Sequence, residues 1–414
     1  MAKTYDTYKD SGIAWIGEIP GEWRVEKARH IFTQRNSKGN KTPILLSATQ
    51  INGMYPQHLL EGVVQVQKST DLQTFKTVHK NDFVISLRSF QGGFEMSDYE
   101  GVCSPAYQVF YNKIDICHQY YKLLFKSQGF ISMINSLVVG IREGKNIQYG
   151  SFSYSYLPFP PLSVQQSISS FLDTKCGEID SLISIQEEMI SELLAYKQSV
   201  ITEAVTKGLD KKAKMKNSGV EWIGDIPEEW EVCKLKRAYT LLNGRAYSDI
   251  ELLENGKYRI LRVGNLFTSD NWYYSDLELE NDKYCENGDL LYGWSASIGP
   301  YLWKQEKVIY HYHIWKVLFK PNDLKFSYYL LDAITQAKQK DMHGSAMQHL
   351  TKSNMDNSYI PLPPLPVQQA IATYLDEKTT QIDSLITLKQ SKIESLKEYK
   401  KSIIYEYVTG KKRV

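Results

Sequence analysis

The sequence has no apolar run approaching the roughly 20 residues that a membrane span requires. Its opening, "MAKTYDTYKDSG", lacks the apolar stretch of a secretory signal. A cytoplasmic protein with no membrane contact is therefore expected. Cysteine is scarce: Cys103, Cys117, Cys176, Cys233 and Cys285 are dispersed, and no two stand at CxxC spacing. That argues against a disulfide framework or a zinc site and for reduced thiols. An excess of charge is missing too, with 49 Lys and Arg against 47 Asp and Glu for a net +2. A nucleic-acid-binding domain standing alone is often far more basic. Any DNA contact here needs local positive charge or a partner that supplies some of it.

Catalytic signatures are absent as well. No GxxxxGK[ST], GxSxG or HExxH occurs, which removes the P-loop and the common hydrolase and metalloprotease sites. Neither the Asn/Asp-Pro-Pro-Tyr motif of adenine methyltransferases nor a glycine-rich cofactor loop is found. The pair His311 and His313 in "YHYH" has strand spacing but no acidic or cysteine neighbours, so a buried or stacking role is favoured over a metal site. No catalytic residue and no metal ligand is assigned.

What is there is a repeat. "SGIAWIGEIPGEWRV" (Ser11–Val25) returns as "SGVEWIGDIPEEWEV" (Ser218–Val232). "SYLPFPPLSVQQSISSFLDTKCGEIDSLI" (Ser155–Ile183) returns as "SYIPLPPLPVQQAIATYLDEKTTQIDSLI" (Ser358–Ile386). The segments between head and tail scarcely match. Each half is a constant head, a variable middle and a constant tail, and the chain divides as 1–154, 155–210, 211–357 and 358–414.

The proline stretches "LPFPPL" and "IPLPPL" read as extended connectors. Beyond them, Ser163 with Gln166 suits a capping box and Pro366 a first helical turn. The positions apolar in both copies are Ile168/Ile371, Leu172/Leu375, Ile179/Ile382, Leu182/Leu385, Ile190/Ile393, Leu193/Leu396, Val200/Ile403 and Val205/Val408. Their spacing puts them on one helical stripe, which Gly208 and Gly410 terminate. Each helix would run about 44 residues, roughly 65 Å. Each needs a partner, and the other copy is the obvious one. Gln186 and Lys389, at matching places, either set the register or face solvent. The link "KGLDKKAKMKNSG" leads straight into the second head, which implies an antiparallel pair and a dumbbell with approximate two-fold symmetry. The expected fold class is α+β, with two globular mixed α/β domains joined by two long helices in an antiparallel coiled coil. Trp15, Trp23, Trp222 and Trp230 in the heads, with Ile179, Leu182, Ile382 and Leu385 in the tails, are candidates for partner docking and for the spacer. The tryptophans suit core packing between head and tail at least as well.

The middles read as strand-rich. "TPILLSATQINGMYP", "DFVISLRSFQGG" and "GVCSPAYQVFYN" supply strands in the first; "YRILRVGNLF", "NGDLLYGWSASIGPY" and "KVIYHYHIWKVLF" play the same parts in the second. Helices are expected around Gln119–Ser136 and Phe326–Lys340. Residue types that read base edges or grip phosphates fall on three kinds of stretch. Loops after strands carry Arg88, Ser89 and Gln91 in the first middle, and Trp294, Ser295 and Ser297 in the second. A segment just before each proline connector carries Arg142, Lys145, Asn146, Gln148 and Tyr149, matched in position by His343, Ser345, Gln348 and His349. Arg262 and Asn265 stand in "YRILRVGNLF". Ordinary solvent-facing loops have the same composition.

This plan resembles the specificity (S) subunit of type I restriction-modification systems. The resemblance rests on the paired "SGxxWIGxIPxEW" heads and the paired "PPLxVQQxI…LD…IDSLI" tails, and it covers nearly the whole chain; "SPAY" (Ser104–Tyr107) is also typical. It implies that each middle is a target recognition domain reading one half of a split, asymmetric double-stranded DNA site, with the helices as spacer. It implies that the constant regions dock two copies of the modification (methyltransferase) subunit, and that a restriction (motor-nuclease) subunit joins them. Adenine N6 methylation with S-adenosylmethionine then belongs to the partner, and this chain carries no cofactor. The alternative reading is a symmetric coiled-coil adaptor with two protein-binding modules; a stand-alone DNA-modifying enzyme lacks its motifs.

Overall fold

The structure, a computed structural model, describes residues 4–39, 44–49, 52–60, 72–87, 93–137, 147–341 and 350–414. It divides into two compact units, Met1–Glu187 with Ser391–Val414, and Glu188–Gln390. Both long helices are shared out between them.

In the first unit the head forms a hairpin, Tyr8–Asp10 against Glu18–Pro20. The next strand, Arg24–Lys27, pairs antiparallel with Tyr156–Phe159, the proline connector itself. A two-stranded ribbon tolerates Pro158 because a strand edge can spare one donor. A four-stranded sheet follows, in the order Phe32–Arg35, Gln108–Asn112, Phe83–Ile85, Phe94–Met96. The period-2 alternation of a strand splits its side chains between two cores. Phe83, Ile85 and Phe110 join the core built with the head and the long helices, whereas Val84 and Val109 face a smaller one with Leu46, Met54 and Val78. The hairpin Leu46–Thr49/Gly53–Pro56 and the pair Gly101–Cys103/Lys76–Val78 close that second side, linked by a parallel bridge at Leu45 and Val102. Helices His118–Lys126 and Gln128–Ser136 cover the first core.

The second unit repeats this plan, with the head and connector alike in sequence and the middle unlike. The hairpin is Met215–Asn217 with Asp225–Pro227, and Glu231–Lys234 pairs with the connector Tyr359–Leu362. The sheet order is Tyr239–Asn243, Ile314–Phe319, Leu290–Gly293, Gly299–Leu302. Behind it lies Tyr273–Ser275, Tyr258–Leu261, Val308–Tyr310, Tyr284–Cys285, with a parallel pairing at Ile260 and Ile309. Even the turn into the central strand is shared. Asp82 accepts His79 N–H and Asp289 accepts Glu286 N–H, both at 2.8 Å. Asp82 is paired with Arg35 at 2.6 Å and Asp289 with Lys316 at 2.7 Å.

The long helices are Leu162–Lys207 and Leu365–Val408, about 69 and 66 Å at 1.5 Å per residue. They pair antiparallel within each unit. Lys400 bridges Asp180 at 2.6 Å in the first, and the equivalent Lys197 bridges Asp383 at 2.7 Å in the second. Buried and half-buried residues of the second helix recur at 368, 372, 375, 379, 382, 386, 389, 393, 396, 400, 403 and 407. Those steps of three and four are the 3.5-residue period of a coiled coil. Gly208 and Gly410 end the helices with φ of +74° and +75°. A Cβ on Gly410 would fall 2.4 Å from Pro20 Cδ, because the end of the second helix lies against the first head. There Tyr405 donates to Trp15 O (3.1 Å) and Tyr120 to Val408 O (2.7 Å).

Four expectations are corrected. Leu182 and Leu385 are outside the seam, 47% and 46% exposed; Ile183 and Ile386, one residue on, occupy it. Ser163 and Gln166 form no capping box: the helix starts at Leu162, and buried Gln165 secures that end by donating to Pro160 O (2.9 Å) and accepting Cys117 N–H (2.9 Å). "YRILRVGNLF" is a strand only to Leu261, then a helical turn, Val263–Phe267. "KVIYHYHIWKVLF" is two strands, broken by a turn at His311, Tyr312 and His313.

Candidate nucleic-acid interface

Arg88, Ser89, Gln91, Arg142, Lys145, Asn146, His343, Ser345, Gln348 and His349 lie outside the described residues. The remaining candidates divide by what their side chains touch. Gln148 is exposed, ahead of the short helix Tyr149–Ser153. Tyr149 belongs to the core, its ring 5.7 Å from Phe110 and 6.0 Å from Phe152, and burial pushes its phenol up to about 12. Asn265 is structural: it accepts the Arg262 backbone N–H at 3.0 Å and donates to Ser269 O and Asn271 O. Ser295 is buried and Ser297 half-buried. These placements remove Tyr149, Asn265 and Ser295 from the set of side chains free to meet DNA.

The head and tail candidates are likewise sorted. Trp23 and Trp230 are buried in the two main cores, and Ile179 and Ile382 in the helix seam, so none of the four is open to a partner. Half-buried Trp15 packs edge-on to Phe130 at 6.0 Å. Half-buried Trp222 donates from Nε1 to Tyr359 O at 3.2 Å. Leu182 and Leu385 remain exposed, and the exposure repeats: Ile185 with Leu388, and Tyr196 with Tyr399, are equivalent positions and all exposed.

Arg262 stays in the set free to meet DNA with Gln148 and Ser297, Trp294 is half-buried and committed, and beside Arg262 and Trp294 stand residues that the sequence did not single out. Trp294 follows Gly293 at the end of its strand; the turn His311–His313 joins the neighbouring strands. Trp294 holds that turn twice, donating its backbone N–H to His313 O (3.1 Å) and its indole N–H to Tyr312 O (2.9 Å). Its ring stacks on Trp315 at 5.8 Å and meets His313 edge-on at 4.8 Å. The turn is also fastened by Tyr312 N–H to Arg245 O (3.0 Å) and His311 N–H to Leu261 O (2.9 Å). Gly244 is required where the chain passes this turn, since a Cβ would sit 2.3 Å from Tyr310 O. Tyr312 is exposed at the tip, its ring 4.6 Å from His311 and 3.9 Å from His313.

Electrostatics separate the arginines. Arg245 is paired with Glu251 at 2.6 Å, and this hydrogen bond, with two from Ser248, holds the Glu251 carboxyl down at about 2. Arg259 is paired with Glu306. Arg262 is exposed, lies 5.3 Å over the Tyr273 ring and, among the described residues, has no carboxylate in ion-pair range. Burial, then the nearby His313 and Arg262, push His311 down to about 4, so it is neutral at neutral pH. An exposed guanidinium over the Tyr273 face, beside an aromatic turn fixed by backbone hydrogen bonds, suits nucleic acid. "YHYHIW" was the available signal; read as one strand, it hid the turn.

Comparison with known proteins bears directly on this arrangement. The family described as "Type I restriction modification DNA specificity domain" matches the chain twice, over residues 16–194 and 227–398. The MjaVIII type I restriction enzyme specificity subunit of Methanocaldococcus jannaschii is 26% identical over 96% of this chain and 94% of its own length. The putative MjaX specificity subunit of the same organism is 25% identical over 96% of each. Among solved structures, one from work on complex assembly and conformational transition of the type I R-M system superposes with a TM-score of 0.72. It shares 14% identity and covers 94% of this chain and 98% of that one. The HsdS subunit from Thermoanaerobacter tengcongensis gives a TM-score of 0.53 at 15% identity, over 95% and 98%. Among the described residues no helix is long and apolar enough to cross a membrane. With both halves matched by the family and the fold shared along nearly its whole length, the chain belongs to the DNA-specificity subunits of type I restriction-modification systems.

Proposed function

We propose that each of the two domains reads one half of a split, asymmetric double-stranded DNA site, and that this chain supplies recognition while a partner supplies chemistry. The observation that carries the reading is one strand order in two domains whose sequences scarcely match: a repeated scaffold with different contents is what two readers of different sequences require. Recognition of a few base pairs by one domain is weak, because each mismatch costs only about 1–3 kcal/mol. Two linked readers combine their free energies through effective concentration.

The constant regions dock two copies of the modification subunit, and a restriction subunit joins the assembly. The repeated exposure of Leu182/Leu385, Ile185/Leu388 and Tyr196/Tyr399 supports this, since a duplicated apolar surface takes two copies of one partner. Adenine N6 methylation, S-adenosylmethionine binding and extrusion of the target base reside in that partner. The deciding experiment maps N6-methyladenine in DNA from cells making the modification subunit with and without this chain. A bipartite motif that depends on the chain is the expected result. No new motif from a demonstrated complex with an active methyltransferase would refute the reading and favour an adaptor.

A further inference from the structure

In both domains the strand that ends the second sheet group runs by a short turn into the central strand of the four-stranded sheet. In the first domain that turn is Ser104–Tyr107, between Gly101–Cys103 and Gln108–Asn112. In the second it is His311–His313, between Val308–Tyr310 and Ile314–Phe319. The topological place is the same and the side chains are unrelated: Ser-Pro-Ala-Tyr in one, His-Tyr-His in the other.

Three features of the second turn point outward. Its backbone is immobilised by four hydrogen bonds, two from Trp294 and two to Arg245 and Leu261, so its side chains are held ready rather than ordered on contact. Its tip side chain, Tyr312, is exposed, although a ring packed on two histidines and near Trp294 had apolar neighbours to bury against. Its flank holds Arg262, uncommitted to any described carboxylate, whereas Arg245 and Arg259 are spent on Glu251 and Glu306. Exposed Phe267 extends the patch, its ring 3.3 Å from where a Cβ on Gly293 would stand. Leu350, where the chain returns after residues 342–349, donates its N–H to Trp294 O at 3.1 Å.

Resting on the DNA-reading role above, we propose that the second domain holds its half of the duplex on the face made by the His311–His313 turn, Trp294 and Arg262, with Tyr312 and Arg262 making the contacts that select bases. Arg262 supplies the planar donor fork that matches the acceptor edge of guanine. Tyr312 supplies a flat apolar face with a hydroxyl at its end. Trp294 and His313 keep that face in place and are positioning residues.

The test uses the full chain in complex with its modification subunit, and duplexes of the recognised site carrying single base changes in one half or the other. Arg262→Ala and Tyr312→Ala remove only exposed side chains. The backbone groups that Asn265 and Trp294 use remain, and thermal unfolding checks that each variant is folded. The expected result is a loss of about tenfold or more in affinity for the intact site, the scale of one good base contact. Discrimination should collapse at positions of one half-site and persist at the other. Unchanged discrimination in folded variants, or equal loss in both halves, overturns the assignment. If the unsubstituted complex shows no sequence preference in either half, the DNA-reading role itself fails, and the assignment with it.

Discussion

Gln368 is only 2% exposed and uses its whole amide: it accepts Asp323 N–H at 2.9 Å and donates to Pro363 O at 2.9 Å and to Asn322 Oδ1 at 3.0 Å. It ties the start of the second long helix to the start of the domain's own helix, as Gln165 does in the first half. Gln368→Ala leaves buried polar groups unpaired and should cost about 1–3 kcal/mol, read as a lower urea midpoint. Gln369→Ala on the exposed side should change it by less than about 0.5 kcal/mol. The "QQ" pair was legible as a repeat, but which glutamine is buried was not, because partners 48 and 45 residues away decide it. His311 offers a second check. Its folded pKa of about 4 lies below the ordinary imidazole value near 6.5, so the folded state binds this proton less readily than the unfolded chain. The stability tied to the neutral ring is present above about pH 6.5 and is lost as pH falls through 4. An NMR titration should place the ring's midpoint near 4, and Arg262→Ala, which removes a neighbouring positive charge, should raise it.

The long helices were legible because a heptad pattern is local and repeated, and because no proline enters either run after its first turn. The error of one residue at "DSLI" has an equally local cause. Leucine and isoleucine stand side by side in both copies, and only the packed partner settles which faces the seam. The two positions should therefore behave differently. Ile386→Ala opens a cavity in the seam and should cost about 2–4 kcal/mol in the isolated chain. Leu385→Ala should cost little there, being 46% exposed. In the complex the order should reverse: Leu385→Ser with Leu388→Ser should weaken binding of the modification subunit, measured by titration, while leaving thermal unfolding of the chain alone nearly unchanged. Full binding by the folded double variant would remove these residues from the docking surface.

The architecture as a whole was visible in the sequence through its constant parts, and the variable parts hid their kinship. Phe83-Val84-Ile85 and Leu290-Leu291-Tyr292 share no residue, yet both alternate between two cores at the centre of the same four-stranded order. Burial constrains size and polarity far more than identity, so the strand order persists while the letters drift. If the two domains read a split site as proposed, the helices carry the complementary constraint, since their length then enters the distance between half-sites. The ion pairs Asp180–Lys400 and Asp383–Lys197 fix one antiparallel register in each unit. Seven residues inserted after Glu187 and seven more after Gln390 keep the 3.5-residue seam in phase and leave both pairs intact. They add about 10 Å at 1.5 Å per residue, close to three base pairs at 3.4 Å each. The doubly lengthened chain should direct methylation to the same half-sites with about three more base pairs between them, read from an N6-methyladenine map. Lengthening one helix alone forces a seam to slip, with lower thermal stability and loss of the motif. A folded, active, doubly lengthened chain that kept the original spacing would show that the helices do not set it.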